Sequence, residues 1–247
     1  MLEVKKVSKS FGGVKAINNV SIEFEKGELS SIIGPNGAGK TTFFNLVTGK
    51  LVPETGKIVF EGDDITGLQP HTIVRKGIGR AFQRTNIFPR LDVFNNVRVA
   101  VLASMGKQRK VFSDYRKDGE VNARTVSLLE SVRLLDKAEV TAGKLSHGDQ
   151  KLLDMAIALA LDPRVLLLDE PTAGMSPEEG RRTVELIKKL WDDLGITLIF
   201  IEHDMGIVFS ISHKIRVLHY GEIIAEGTPE EISKNEEVIT AYLGKEL

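Results

Sequence analysis

The sequence predicts an α/β protein: a parallel sheet wound with helices, a mostly antiparallel β opening ahead of it, and a helical insertion. Three observations carry this. After Leu145 the chain alternates helix, strand, helix, strand through "KLLDMAIALAL", "VLLLDE", "PEEGRRTVELIKKLWDDLG" and "TLIFIEH". Short strands that are apolar throughout, separated by helices, are the pattern of a parallel sheet covered on both faces. The first sixty residues instead alternate apolar and polar side chains, and from about Leu91 to Leu145 apolar residues recur at helical spacing.

Taken in order, "LEVKKVS" and "VSIEFEKG" are strands, with turns at Gly12-Gly13 and Lys26-Gly27. "LSSIIG" is a short apolar strand, "KTTFFNLVTG" a helix ending at Gly49, and "GKIVFEGDDI" a return to strand. In the middle, "VFNNVRVAVLASM" and "VNARTVSLLESVRLL" are amphipathic helices. Between them "GKQRKVFSDYRKDGE" is polar and basic, the composition of an exposed loop. Near the end "KIRVLHYGEIIAEG" is a hairpin turning at Tyr220-Gly221, followed by a polar helical tail. No internal repeat or low-complexity segment interrupts the chain. The helical middle is an insertion into one domain spanning 1–247, with an α/β core in 1–84 and 151–247 and a helical subdomain in 85–150.

Composition narrows the function classes. Of 247 residues 42% are hydrophobic and 27% charged, as in ordinary globular proteins. Lys+Arg 33 against Asp+Glu 34 leaves no basic field for nucleic acid. With no cysteine, thiolate catalysis and Cys-ligated zinc are excluded, and a cytoplasmic location is compatible. The opening "MLEVKKVSKSFGG" lacks the apolar core of a signal peptide, and "ITLIFI" is far shorter than the ~20 residues of a membrane-spanning helix. Any membrane role must come through a partner.

Between the strand at 29–33 and the helix that follows lies "GPNGAGKT", which fits G-x-x-x-x-G-K-[ST] at Gly34, Gly39, Lys40 and Thr41. Glycine lets successive backbone N–H groups turn inward and ring a phosphate, and a helix N-terminus favours the anion. Lys40 has the reach for β- and γ-phosphates, and the Thr41 hydroxyl suits Mg²⁺. Such a loop predicts a carboxylate at the end of a buried strand, and "VLLLDE" supplies Asp169 for the metal and Glu170 to polarise a water. An acidic strand end is commonly only solvated. Joined to the glycine loop, it points to a nucleoside triphosphate.

"LSHGDQKLLDMAIALALDPRVLLLDEPTAG" resembles the signature and hydrolysis motifs of ABC-type ATPases, and the resemblance runs nearly end to end. It implies a P-loop NTPase core of RecA-like type with ATP and Mg²⁺ as ligands. It also implies that residues 34–42 (Gly34, Pro35, Asn36, Gly37, Ala38, Gly39, Lys40, Thr41 and Thr42) cradle the nucleotide phosphates. Phe11 stands where such proteins stack an aromatic on adenine, Gln83 in "AFQRTNIF" matches their glutamine loop, and His203 in "IEHD" their switch histidine. Gln83 would touch the metal or the attacking water, and His203 the γ-phosphate and Glu170. Ser146 and Gly148 of the signature would act on the nucleotide of a second subunit, so the chain must pair with itself or a sister cassette. Two departures stand out. His147 and Asp149 occupy positions often neutral, Asp149 adding charge near a phosphate site, and Ser176 replaces a frequent aspartate.

Longer patterns, "GIGRAFQRTNIFPRLDVFNNVRVA" and "DEPTAGMSP", resemble the ATPase subunits of branched-chain amino-acid importers. That implies membrane permease subunits as partners, a solute-binding protein acting indirectly, and a place on the inner face of the cell membrane. Lipopolysaccharide exporters and urea or amide importers have similar ATPases. An ABC-type protein acting on nucleic acid or ribosomes is a less favoured alternative, since those usually carry tandem cassettes, long coiled coils or basic arms. A nucleotide-binding regulatory subunit without turnover is another, against which intact Lys40, Asp169, Glu170 and His203 argue.

Overall fold

The computed structural model describes residues 1–81, 85–107 and 118–243. Its elements in chain order are β1 (Leu2–Phe11), β2 (Val14–Phe24), β3 (Leu29–Ile33), α1 (Lys40–Val47), β4 (Thr55–Phe60), β5 (Asp63–Asp64) and α2 (Pro70–Arg75). Then come β6 (Ile78–Ala81), α3 (Val93–Ser104), α4 (Gly119–Ser131), α5 (His147–Leu159), β7 (Val165–Asp169), α6 (Pro177–Leu194) and β8 (Thr197–Ile201). The last are α7 (Met205–Ile211), β9 (Lys214–His219), β10 (Glu222–Gly227), α8 (Pro229–Ser233) and α9 (Glu236–Leu243). The chain forms two compact units, Met1–Lys76 with Leu194–Leu247, and Gly77–Asp193. β6 pairs with β7 and α5 packs on β6, so these elements group with the helical segment.

In the first unit an antiparallel sheet has the order β2-β1-β4-β5. Its alternation is the one read from sequence: Leu2 and Val4 are buried while Lys5 is exposed, and Val4 lies between Ile22 of β2 and Ile58 of β4. β3 is buried along its whole length and runs parallel to β8 on one side and β9 on the other, with Ile32 opposite Ile201 and Arg216. β10 returns antiparallel on β9. Their turn, Tyr220-Gly221, has positive φ at both residues, 46° and 81°, as the tightest hairpin turn requires.

In the second unit β6 and β7 are parallel, Ile78 opposite Val165 and Ala81 opposite Leu168. Helix α5 packs on β6 and α3, and α3 on α4. Asp92 caps α3, accepting the Asn95 N–H at 2.6 Å. The buried Asn96 amide pins the segment before α3, accepting from the Phe88 N–H at 2.8 Å and donating to the Asp92 carbonyl at 2.9 Å. Most of the basic segment, 108–117, lies outside the described residues. At its borders Lys107 pairs with Asp118 and Glu120, both at 2.8 Å. Among the described residues no helix is long and apolar enough to cross a membrane.

One charged side chain knits the first unit together. Arg216 on β9 is 0% exposed, pairs with Glu28 at 2.6 Å and donates to the Glu23 carbonyl. Its guanidinium lies 4.2 Å from the centre of the Phe24 ring, and its Nε is 3.4 Å from Glu226 of β10. Burial alone would push the Glu28 carboxyl up. Arg216 and the Glu25 N–H outweigh it and hold the carboxyl below its usual range. A depressed carboxylate stabilises the fold at neutral pH, and that contribution is lost as pH falls through the lowered value. Arg216→Met, which strands Glu28, is expected to cost about 3–5 kcal/mol at pH 7. Urea unfolding at pH 7 and at pH 3.5 checks this: the deficit should shrink at the lower pH.

Candidate functional site

The glycine loop leaves β3 at Gly34 and re-enters regular structure at Lys40. Two glycines are sterically obligatory. A Cβ on Gly34 (φ 152°) would sit 2.0 Å from the Leu218 carbonyl oxygen, and one on Gly39 (φ 109°) 2.3 Å from that of Ala16. The loop is therefore wedged between β2 and the end of β9, and the Gly221 N–H donates to the Ala38 carbonyl at 3.0 Å. Lys40 opens α1, yet its side chain folds back and is only 7% exposed. Its ammonium donates to the carbonyls of Gly34 at 2.6 Å and Pro35 at 3.0 Å. The loop thus closes around its own cation. Asn36, Gly37 and Thr41 are exposed on it, Thr42 is half-buried, and Ala38 is buried.

His203 belongs to the same end of this sheet. β8 pairs in register with β3, so Glu202 and His203 follow Ile201 where Gly34 follows Ile33. His203 is exposed, whereas Glu202 is buried and accepts the His203 N–H at 3.1 Å. Phe11 ends β1 at the hairpin with β2 and is 48% exposed, an open aromatic face with Lys9 5.8 Å from its centre. Sequence reading missed Tyr242. Burial pushes its phenol up to about 12, with the backbone of Gly34 acting the other way. The tail helix α9 therefore brings a phenol near the first residue of the glycine loop.

In the second unit β7 ends at Asp169, which is buried. Its Oδ2 accepts from Arg80 of β6 at 2.6 Å, the two side chains being 2% and 5% exposed. Its Oδ1 is buried and has no hydrogen-bond partner among the described residues. An orphaned carboxylate oxygen at a strand end is a donor that suits a divalent cation. Among the described residues no three His, Asp or Glu cluster to hold a metal by themselves. The fit to Mg²⁺ rests on the Asp169 carboxylate, since that ion is typically held by one or two protein oxygens together with substrate phosphates.

Glu170 has φ +52°, a left-handed backbone that costs an L-residue roughly 1–2 kcal/mol. Its carbonyl accepts the Ala173 N–H at 3.2 Å and the ammonium of Lys151 on α5. Ser146 caps α5, its hydroxyl accepting the Asp149 N–H at 3.1 Å. Gly148 lies against Met175, and His147 against Gly174. Signature and strand-end loop are thus in contact within this unit. Gln83 lies outside the described residues.

The two departures have local explanations. Asp149 pairs with Lys137 at 2.7 Å, so its charge is balanced on its own unit. The Ser176 N–H donates to the Glu179 carboxylate at 2.9 Å and the Glu179 N–H to the Ser176 hydroxyl at 3.3 Å, and this pair starts α6, with Pro177 at its first position. Lys151 and Arg80 went unread. Lys151 had a signal: with Asp154, Met155, Ala158 and Leu159 it falls on the buried face of α5 at helical spacing. Arg80, in a four-residue strand with a glycine, had none.

Residues 17–173 match the ABC transporter family model, and residues 222–247 match that of the branched-chain amino acid ATP-binding cassette transporter. The chain is 40% identical over 250 residues to the high-affinity branched-chain amino acid transport ATP-binding protein BraF of Pseudomonas aeruginosa, covering 99% of this chain and 98% of that one. Among solved structures it resembles the ADP conformation of an ATP-binding cassette of an ABC transporter, with TM-score 0.85, 31% identity and 99% and 98% coverage. A dimeric cassette in a post-hydrolysis state bound to ADP and Pi follows with TM-score 0.79, 28% identity and 93% and 99% coverage. With its glycine loop, strand-end carboxylates and signature helix in these places, the chain belongs to the ABC transporter family of ATP-binding cassettes.

Proposed function

We infer that the chain is the ATP-binding and hydrolysing subunit of an importer for branched-chain amino acids. The observation that carries the ATP reading is Lys40. A buried ammonium held by two loop carbonyls is ready to exchange them for phosphate oxygens, which bear full charge and make stronger hydrogen bonds. The match of 222–247 to the branched-chain group supports this solute over lipopolysaccharide export or urea and amide uptake.

In this reading residues 34–42 bind the phosphates and Phe11 stacks on the adenine. Thr41, Gln83 and Asp169 hold Mg²⁺, which when bound neutralises phosphate charge and fixes its geometry. Glu170 takes the proton of the attacking water, and the exposed imidazole of His203 contacts the γ-phosphate. Ser146 and Gly148 act on the nucleotide of a second cassette, a dimer being the state of one similar solved structure. Membrane permease subunits and a solute-binding protein complete the transporter, and the chain works as a peripheral subunit on the cytoplasmic face of the membrane.

Lys40→Ala should leave the fold intact, abolish binding of a fluorescent ATP analogue and reduce cellular uptake of labelled leucine to the level without the gene. Wild-type affinity in that variant would remove the phosphate-loop assignment. Ser146→Arg should still bind ATP as an isolated subunit but not hydrolyse it. Mixed with Lys40→Ala subunits, it should recover one working site per heterodimer, and full hydrolysis by Ser146→Arg alone would sink the two-cassette arrangement. Glu170→Gln keeps size and a hydrogen bond but loses the base, a change worth about 10²–10⁴-fold in rate. It should accumulate with Mg·ATP as a dimer on size-exclusion chromatography, and a monomer turning over at the wild-type rate would exclude Glu170 from the chemistry.

A further inference from the structure

We propose that Lys151 is a positioning residue for hydrolysis: from the signature helix it clamps the Glu170 carbonyl and fixes the backbone conformation that sets the direction of the Glu170 carboxylate. The proposal rests on the assignment of Glu170 as the base.

Glu170 occupies a conformation that its own sequence disfavours twice. It is a non-glycine residue at φ +52°, and it precedes Pro171, whose ring disfavours helical conformations in the residue before it. Residues kept in such conformations need surroundings that over-determine them, and they gather at functional sites. One restraint here is local, the turn bond from the Ala173 N–H to the Glu170 carbonyl at 3.2 Å. Another comes from far along the chain: the ammonium of Lys151 on α5 donates to the same oxygen.

Lys151 is only 6% exposed. A long flexible cation usually carries its head out to water, and burying it is unfavourable unless its donors are used. Here the head ends on the Glu170 carbonyl, and the side chain helps line a small cavity with Asp154, Asp169, Pro171 and Thr183. Its stem leaves the helix that Ser146 caps, and nothing flexible separates the two. A nucleotide contact at Ser146 would therefore be carried by a rigid helix to the backbone of the base. Engagement of the second cassette and alignment of Glu170 become one event, which gives the dimer a reason to control the chemical step.

The test is a double-mutant cycle on the full-length protein, with melting temperatures taken to confirm folding. Lys151→Met keeps the stem and removes the donors. It should lower kcat by about 10²-fold, the scale of a misplaced catalytic group, while KM and affinity for a fluorescent ATP analogue change less than about threefold. Lys151→Arg, which restores a charged donor, should recover most of the rate. In a Glu170→Gln background Lys151→Met should lower kcat little further, because the group it positions is already gone. A wild-type kcat for Lys151→Met, or an equal loss in both backgrounds, overturns the proposal and leaves the ATPase reading standing. A wild-type rate for Glu170→Gln alone overturns the base assignment and the proposal with it. If Lys151→Met does not fold, Lys151→Gln runs the same cycle under the same criteria.

Discussion

β3 has no free edge and no free face. It is buried at all five residues and hydrogen-bonded to parallel strands on both sides, so the chain must leave it at the carboxyl end. Ligands of open α/β sheets gather at such ends. Here the exit is narrowed further by the Ala16 and Leu218 carbonyls, which leave no room for a side chain at Gly39 or Gly34. The loop shape, the helix start at Lys40 and the neighbouring exit of β8 at His203 all follow from that one confined departure. The arrangement is steric before it is chemical.

Three buried cations then fasten backbone in place. Lys40 ends on the Gly34 and Pro35 carbonyls, Lys151 on that of Glu170, and Arg216 on that of Glu23. A charged donor on a carbonyl is a stronger tie than a neutral one, and each of these grips a segment outside regular helix or at a strand terminus. Arg216 is also matched by carboxylates and an aromatic face, which makes it structural. The two lysines grip backbone at the loop and at the base, where conformation governs chemistry.

What the sequence disclosed, and what it hid, follows the range of the forces involved. The glycine loop was legible because its spacing is set by local geometry, and the apolar strands because burial on both faces leaves a continuous run. Gly49 at φ 69° closes α1 where the composition put its end. Ser176 was more legible than it looked: Ser-Pro-Glu-Glu has the spacing of a capping box, and the structure uses it as one. The charge of Asp149 was visible but its partner Lys137, twelve residues away, was not. Short α2 and β6 carried too few residues for a period to show. Arg80 could not be read at all, since its meaning lies wholly in Asp169, 89 positions later.

The nearness of Tyr242 to Gly34 bears on modularity. The segment 222–247 is the part that matches the narrower branched-chain group, whereas the broad family match ends at residue 173. It would be natural to treat such a tail as an exchangeable appendage and to graft it between relatives. Yet its last helix sets a half-buried phenol near the first residue of the phosphate loop. A chimera that swaps the tail also swaps a neighbour of that loop, so a graft must keep the two matched.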